Sequence, residues 1–305
     1  MNYLEWINQC TPTRWWHDSG NPDEIELALK RGATGVTTNP VLTFRSFQSQ
    51  PDFWNPKVLA LGDDFPTLEA HAEALLKLVA TYAADKVRDI YEKTNGADGY
   101  ALGQLNPGRA GDAEGMLAQA IAVAEAYARG KEKAIANGVK PPLCIVVQQV
   151  GRLDDYLRDV AQDMKLGLDE SVITMAGLAV AKRSYHILQE MKSDAIIMPA
   201  GLRGAYHLTE MAGGRLLYTI NTRVQDMILE ADPPQVEKIA EPIPAETLSQ
   251  LQRIPEFVRA YEPDGMKPSE FITYGVTQKL LSQFMETGWS PLETYMSSKK
   301  TSRWI

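Results

Sequence analysis

The fold class follows from the stretch Pro141-Pro142-Leu143-Cys144-Ile145-Val146-Val147-Gln148-Gln149. Apolar residues fill it without a break from Leu143 to Val147, after a pair of prolines and before a pair of glutamines. A short continuous apolar run bounded in this way is typical of a strand that is covered on both faces in a parallel sheet. The sequence therefore predicts a buried parallel strand at 143–147.

Other strands and helices alternate on both sides of this one. Further strands are predicted at 13–18, 35–38, 100–105, 195–198 and 216–220. Helices are predicted at 21–31, 66–93, 112–137, 153–164, 169–191 and 268–286, and a loop rich in Phe, Ser, Gln and Pro at 41–65. Regular alternation of strands and helices indicates an α/β fold built on a parallel sheet, here with six strands.

The composition of the 305-residue chain, with 44% hydrophobic and 23% charged residues, is typical of a globular protein with a sizeable core. A single α/β barrel commonly reaches this length. Because no repeat or linker interrupts the pattern, we predict one domain over 1–305 with a helical extension at 231–305. The net charge of −8 argues against nucleic acid as a partner. It does not exclude a small phosphorylated ligand, which one or two arginines can bind.

Several classes of protein are excluded by what the sequence lacks. No apolar run reaches the about 18 residues that span a bilayer, and the polar start has no signal-peptide layout, so we expect a cytoplasmic protein without a membrane partner. Cys10 and Cys144 are predicted to be reduced core thiols. We expect no metal and no cofactor, and we attribute the adjacent carboxylates Asp154 and Asp155 to a helix start rather than to a metal site.

Polar side chains follow the predicted strands. They are Asp18, Thr38, Asn39, Gln104, Asn106, Gln148, Gln149, Arg152, Arg203, Thr219 and Asn221. In parallel barrels the reacting groups sit at the carboxyl ends of the strands. Amides suit hydroxyl groups and guanidinium forks suit phosphate oxygens, so the set predicts a site for a polyhydroxylated, phosphorylated molecule. The pattern leaves open that Asp18 and Asn39 only cap the helices that follow them.

Several of these segments together resemble one known family, the transaldolases and the related fructose-6-phosphate aldolases. The resemblance covers 13–222 in the family's order. It is carried by His17-Asp18-Ser19-Gly20-Asn21-Pro22-Asp23-Glu24-Ile25, Thr34-Gly35-Val36-Thr37-Thr38-Asn39-Pro40, Gln104-Leu105-Asn106-Pro107, Asp112-Ala113-Glu114-Gly115-Met116, Val150-Gly151-Arg152-Leu153-Asp154-Asp155 and Ala200-Gly201-Leu202-Arg203-Gly204.

The resemblance implies a TIM-barrel-like parallel (β/α) barrel that cleaves or transfers a dihydroxyacetone unit of a keto sugar phosphate through a Schiff base. It implies three catalytic residues. Asp18 would handle protons during carbon–carbon cleavage, and Asn39 would hydrogen-bond substrate hydroxyls. Gln104 stands where transaldolases carry a glutamate that positions water and where the aldolase branch carries glutamine.

The resemblance also implies that Thr38, Arg152 and Arg203 bind the substrate, with the two arginines clamping its phosphate. Gly201 replaces a serine expected near that phosphate, which removes one hydroxyl donor. His207 and its neighbour Tyr206 follow Arg203 closely in the chain. They are candidates to contact the substrate-binding residues rather than the substrate itself.

One expected feature is absent from the sequence. The family's fourth strand carries the Schiff-base lysine in a Lys-Ile-Pro or Lys-Val-Pro motif, and this chain has neither. Between Asn106 and Leu143 there is room for one helix, so we expect two strands and one helix of the barrel to be missing. Lys131 and Lys133 fall on a predicted solvated helix face, and Lys140 is a weak candidate for a relocated nucleophile.

Three hypotheses follow from this absence. The first is an active aldolase or transaldolase-like enzyme with a displaced lysine or an altered mechanism. The second is a catalytically inactive homologue that binds a sugar phosphate or forms an assembly. The third is a barrel damaged by deletion of the segment. Because open edges of parallel sheets pair with other chains, the sequence also predicts a homo-oligomer.

Overall fold

A computed structural model describes residues 1–104, 106–109, 144–193 and 195–297. The strands are β1 Arg14–Asp18, β2 Val36–Thr37, β3 Ala101–Leu102, β4 Ile145–Gln148, β5 Ile196–Pro199 and β6 Leu217–Ile220. The α-helices are α1 Tyr3–Cys10, α2 Pro22–Lys30, α3 Pro40–Ser49, α4 Pro51–Ala60, α5 Leu68–Lys93, α6 Val150–Asp163, α7 Glu170–Ile173, α8 Ala176–Glu190, α9 Tyr206–Thr209, α10 Thr222–Ala231, α11 Ala245–Leu251, α12 Pro255–Tyr261, α13 Gly275–Phe284 and α14 Ser290–Thr294. Short 3₁₀ segments lie at Pro107–Arg109 and Pro268–Thr273, and a π-helix at Met285–Trp289.

The six predicted strands are all found within the described residues, and their pairing is parallel. The α/β class with a parallel sheet is therefore confirmed. The helix predicted at 112–137 lies outside the described residues, as does the segment in which two strands were expected to be missing.

The chain falls into two compact units. The first unit comprises Met1–Trp16 and Leu143–Thr277, and the second His17–Pro142 and Gln278–Ile305. Strand β1 begins in the first unit and ends in the second. The assignment of 1–305 to one domain with an extension at 231–305 stays a prediction.

In the second unit β2 pairs with the end of β1 on one side and with β3 on the other. His17 and Asp18 are in register with Val36 and Thr37, and the same two residues of β2 are in register with Ala101 and Leu102. Because all three strands run the same way, their carboxyl ends lie at one edge of the sheet.

Helix α2 begins where the sequence predicts. The side chain of Asn21 accepts hydrogen bonds from the backbone N–H of Asp23 and Glu24, and Pro22 is the first helical residue. The side chain of an N-cap asparagine accepts hydrogen bonds from free N–H groups of the first turn. Proline at the first helical position has no N–H that would need a partner.

The prediction of a loop at 41–65 is wrong, because the structure has helices α3 and α4 there. Pro40 and Pro51 are first helical residues, where the missing N–H costs nothing. Phe47 and Trp54 are fully buried in a cluster with Leu75 and Val79 of α5. Burial of these aromatic rings on α5 stabilises two helices whose local composition is typical of a loop.

In the first unit β4 pairs with β5, with Ile145 opposite Ile196. A single bridge joins Ile197 of β5 to Leu216, just before β6. Every residue of β5 and β6 is buried, as predicted. Helices of this unit form a second apolar core; its fully buried members include Leu157, Ala176, Leu251, Ile254 and Phe257.

Two burial predictions in this unit are wrong. Val146 and Val147 of β4 are 42% and 49% exposed, although a covered strand was expected. Successive strand residues point to opposite faces, so both faces of β4 are partly open; among the described strands it pairs with β5 alone. Cys10 and Cys144 are exposed free thiols, because they lie at the last residue of α1 and directly before β4.

Within the described ranges, no helix has the length and apolar character required to cross a membrane.

Candidate functional site

Asp18 ends β1 and accepts a hydrogen bond from its neighbour on β2. Thr37 Oγ1 lies 2.8 Å from Asp18 Oδ1, and Thr37 itself is buried. The residue that caps α2 is Asn21. The capping alternative is therefore wrong for Asp18, whose carboxylate is held by the sheet.

The turn after Asp18 is fixed from α3 and α4. The carbonyl of Gly20 accepts a hydrogen bond from Ser46 Oγ at 2.8 Å, and the same Oγ accepts one from Trp54 Nε1 at 2.8 Å. A Cβ built on Gly20 would lie 2.7 Å from Val79 Cγ1, so any larger residue there would require the buried Val79 to shift. The two helices missed in the sequence thus help to place the end of β1.

Thr38 and Asn39 follow β2 directly. Thr38 is buried, its N–H donates to the carbonyl of Leu102, and its Oγ1 lies 3.2 Å from Oγ1 of Thr43. Asn39 Oδ1 accepts from the backbone N–H of Leu42 at 3.0 Å and caps α3. Asn39 therefore caps the helix that follows it, as one of the two alternatives predicted. The capping hydrogen bond uses Oδ1 of the side-chain amide and does not involve Nδ2.

Gln104 lies two residues beyond β3 and is half-buried. Nearby in sequence, Asn106 Nδ2 donates to Glu69 Oε1 at 2.7 Å, and Asn106 Oδ1 accepts from the N–H of Gly108. The second unit therefore places Asp18, Thr38 with Asn39, and Gln104 at the same edge of its sheet, after three neighbouring strands.

The two arginines expected to bind phosphate lie in the first unit, after the neighbouring strands β4 and β5. Their segments touch at a pair of glycines. A Cβ built on Gly151 would lie 2.2 Å from the Gly201 carbonyl oxygen and 2.7 Å from Arg203 Cγ. One built on Gly201 would lie 3.7 Å from Arg152 Cγ. The structure thus brings the segments that carry Arg152 and Arg203 into direct contact.

Gly201 also has a backbone conformation that favours glycine. Its φ of 66° lies in the left-handed region, which carries a penalty for any residue with a Cβ. This conformation gives a physical reason for glycine at the position where the family resemblance predicts serine.

The guanidinium of Arg203 is paired with a carboxylate. Arg203 Nε and Nη2 donate to Asp155 Oδ2 at 2.9 and 2.6 Å, and Asp155 Oδ1 accepts from Arg158 Nη1 at 2.8 Å. Burial raises the pKa of Asp155, but the hydrogen bonds from Arg203 and Arg158 outweigh it and leave that pKa below its ordinary value. An anion bound at Arg203 would share this guanidinium with Asp155.

The preceding residue, Asp154, forms a buried pair that sequence reasoning missed. Asp154 Oδ2 lies 2.9 Å from His207 Nε2, and both side chains have no exposed surface. Asp154 Oδ1 accepts from the N–H of Gly177 at 2.7 Å, and His207 Nδ1 accepts from the N–H of Arg203 at 3.1 Å. Burial raises the pKa of Asp154, against the lowering effect of His207 and Gly177.

The explanation of Asp154 and Asp155 by a helix start is wrong. Helix α6 begins at Val150, so both carboxylates lie past its first residues, and each has a specific partner from another element. A signal was present in the sequence: Asp154 lies four residues after Val150 and three before Leu157, on the apolar stripe of the helix.

Of the lysines that the structure describes, Lys182 alone is buried. Its Nζ donates to the backbone carbonyls of Lys238 and Glu241 at 2.9 and 2.6 Å, and burial lowers its pKa. It lies within α8 rather than at the end of a strand, and its amine is hydrogen-bonded to backbone. Lys131, Lys133 and Lys140 lie outside the described residues.

Comparison with known proteins bears on this arrangement. Residues 15–142 match the family described as Transaldolase/Fructose-6-phosphate aldolase. The chain is also similar to a transaldolase of Thermobifida fusca (strain YX), with 24% identity over 212 residues. That alignment takes in 63% of this chain and 56% of the relative, so the chain spans little more than half of that protein's length. Over residues 15–142 the chain is therefore similar to the transaldolase family, whose fold is a TIM barrel.

Proposed function

We propose that this chain binds a keto sugar phosphate and acts on it by the carbon–carbon bond chemistry of the transaldolases and fructose-6-phosphate aldolases. The observation that carries the proposal is the contact between the segments of Arg152 and Arg203 at Gly151 and Gly201. The family match supports the substrate class.

Arg152 and Arg203 would hold the phosphate. Guanidinium groups bind phosphate oxygens through charge-assisted hydrogen bonds, often in pairs. Asp155 favours this role because its Oδ2 accepts two hydrogen bonds from Arg203 and keeps that guanidinium in one orientation. A guanidinium that is already oriented loses less side-chain entropy when the anion binds.

The residues after β1, β2 and β3 are candidates for the carbon–carbon bond chemistry. Asp18 would hold or move the proton during bond cleavage, with Thr37 Oγ1 donating to its carboxylate and fixing its position. Thr38 and Asn39 would bind substrate hydroxyls, and Gln104 would orient water or a hydroxyl through its amide.

A second function, sugar-phosphate binding without covalent catalysis, is favoured by the lysines. The sequence has no Lys-Ile-Pro or Lys-Val-Pro motif. Lys182, the buried lysine of the described ranges, is hydrogen-bonded to two carbonyls and lies within helix α8. A Schiff base needs an amine that is neutral and able to reach the ketone.

Borohydride trapping separates the two functions. The protein is incubated with fructose 6-phosphate or dihydroxyacetone, reduced with sodium borohydride and analysed by intact mass and peptide mapping. A covalent adduct on a lysine supports catalysis. Binding of fructose 6-phosphate by calorimetry without any adduct supports the binding function.

Arginine variants test the phosphate site in the same assay. Arg152→Gln and Arg203→Gln should each weaken binding of fructose 6-phosphate and leave any binding of unphosphorylated fructose unchanged. Arg88→Gln, at an exposed arginine of α5, is the matched control. Wild-type protein that binds neither phosphate nor sugar phosphate would overturn the proposal.

Self-association stays a prediction. Sedimentation velocity at micromolar concentration tests it, and a single well-folded monomer would contradict it.

A further inference from the structure

We infer that His207, oriented by Asp154, is a positioning residue that fixes the backbone of Arg203 for anion binding. This inference rests on the proposed function, because it assigns a purpose to Arg203. His207 is fully buried, so we place it behind Arg203 and not in contact with the phosphate or the reacting atoms.

The hydrogen bonds determine the protonation of the imidazole. His207 Nδ1 accepts from the backbone N–H of Arg203, so Nδ1 carries no proton. The proton of the neutral ring is then on Nε2, which donates to Asp154 Oδ2. A carboxylate that is hydrogen-bonded to one ring nitrogen fixes the tautomer of the imidazole. It also fixes the direction in which the other ring nitrogen points.

The other oxygen of Asp154 ties the pair to a third element. Asp154 Oδ1 accepts from the N–H of Gly177 in the first turn of α8, where the helix dipole favours a negative charge. The chain of hydrogen bonds therefore runs from the start of α8, through α6 and the imidazole, to the backbone of Arg203. The carbonyl of His207 is itself held by Tyr218 Oη at 3.0 Å.

Burial of this pair points to a purpose other than stability. Both side chains have no exposed surface, and removing a carboxylate and an imidazole from water is expensive. Replacement of a buried charged pair by apolar residues of similar volume is often neutral or stabilising. What an apolar pair could not supply is an acceptor for the N–H of Arg203.

Consecutive residues of α6 thus hold the two parts of Arg203. Asp155 binds its guanidinium through Nε and Nη2. Asp154 holds its backbone through His207. With both parts fixed from one helix, the guanidinium stays where the segment of Arg152 meets it.

Two substitutions of His207 separate positioning from simple stability. In His207→Asn the amide oxygen can take the place of Nδ1 and accept from Arg203, while the bond to Asp154 is lost. In His207→Gln the amide nitrogen can take the place of Nε2 and donate to Asp154, while the acceptor for Arg203 is lost. Both variants remove one hydrogen bond from a buried site, so both should lower the melting temperature.

The readouts are hydrogen exchange at the Arg203 amide and titration with inorganic phosphate. We expect His207→Gln to lose protection of the Arg203 amide and to bind phosphate about 5- to 10-fold more weakly, the equivalent of one lost hydrogen bond. His207→Asn should keep both close to wild type. Asp154→Asn should also lower protection of the Arg203 amide, because the ring loses its fixed tautomer.

Two results would overturn the inference: equal loss of protection and affinity in both His207 variants, or no loss in either. Wild-type protein that binds no phosphate would overturn the proposed function instead. In that case the exchange of the Arg203 amide still decides whether His207 positions this residue.

Discussion

Asp155 Oδ2 receives two hydrogen bonds from one arginine, Arg203, at 2.9 Å from Nε and 2.6 Å from Nη2. One carboxylate oxygen therefore fixes the plane of the guanidinium. The other oxygen is engaged by Arg158, so the carboxylate cannot rotate away without losing both partners. This geometry keeps an arginine oriented beside the segment of Arg152 and sets a negative charge next to the proposed anion site.

Removing that charge should strengthen phosphate binding. In Asp155→Asn the side-chain oxygen can still accept from Arg203, but the repulsion between carboxylate and phosphate is gone. We expect inorganic phosphate to bind about 2- to 5-fold more tightly, within the range of partly exposed charge pairs. Calorimetry at low ionic strength measures the change. Asp159→Asn, at an exposed carboxylate of the same helix, is the control, and an equal gain there would contradict a local effect.

The same pair should make stability depend on pH. The pKa of Asp155 is lower in the folded protein than its unfolded value of about 3.9. Its contribution is therefore complete above that value and is lost as the pH falls through the lowered pKa. The difference in unfolding free energy between wild type and Asp155→Asn should shrink as the pH falls below about 4.

The expected difference is about 1 kcal/mol or less, since Asp155 and Arg203 are both more than a third exposed. Urea titrations at several pH values measure it. Asp154 titrates in both proteins, so its opposite shift cancels in the comparison. A difference that grows on acidification would contradict the assignment.

Substitution of Gly201 tests the left-handed backbone. Gly201→Ala should lower the free energy of unfolding by about 1–2 kcal/mol, because a Cβ is strained at a φ of 66°. Gly201→Asn should cost less, since asparagine tolerates this region better. Thermal unfolding of both variants measures the effect. Equal losses in the two would indicate a clash with Gln149, whose Oε1 lies 2.8 Å from the built Cβ, rather than backbone strain.

Asn39 can be tested for two roles at once. Asn39→Ala removes the cap of α3 and should cost about 1 kcal/mol of stability. Asn39→Asp keeps an acceptor for the N–H of Leu42 and should keep the stability. If Nδ2 donates to a sugar hydroxyl, both variants should bind fructose 6-phosphate more weakly. Full binding by Asn39→Asp would restrict Asn39 to capping.

The bond from Ser46 to Gly20 should matter for the turn after Asp18. Ser46→Ala leaves the indole N–H of Trp54 and the carbonyl of Gly20 without this buried partner, and should cost about 1–3 kcal/mol. Trp54→Phe combined with Ser46→Ala removes the indole N–H, which is one of the two groups that Ser46→Ala leaves without this hydrogen-bond partner. A double-mutant cycle with Trp54→Phe should therefore show coupling, and strict additivity would contradict the chain of hydrogen bonds.

The order of strands and helices was predictable because apolar periodicity is a local property of the chain. The run at 143–147 and the cap at Asn21 are examples that needed no knowledge of distant residues. The segment 41–65 was not predictable in this way. Its two helices depend on Phe47 and Trp54 packing on α5, a contact between residues far apart in sequence.

The features of the candidate site also divide into those that local sequence pattern could identify and those that it could not. Position after a strand was enough to single out Asp18 and Arg203 from the sequence. Their partners were not readable there, since Asp154 and Asp155 look alike as neighbours on one helix. The fold buries the first against His207 and turns the second toward Arg203.

By itself, the sequence determined the order of the six strands, the parallel α/β class and the polar residues at the strand ends, because each depends on short-range pattern. Tertiary structure alone decided which carboxylate pairs with which cation, that β4 is partly open, and that Gly151 and Gly201 meet. These depend on the distance between residues that the chain separates by tens of positions, and only the packing of the folded chain sets that distance.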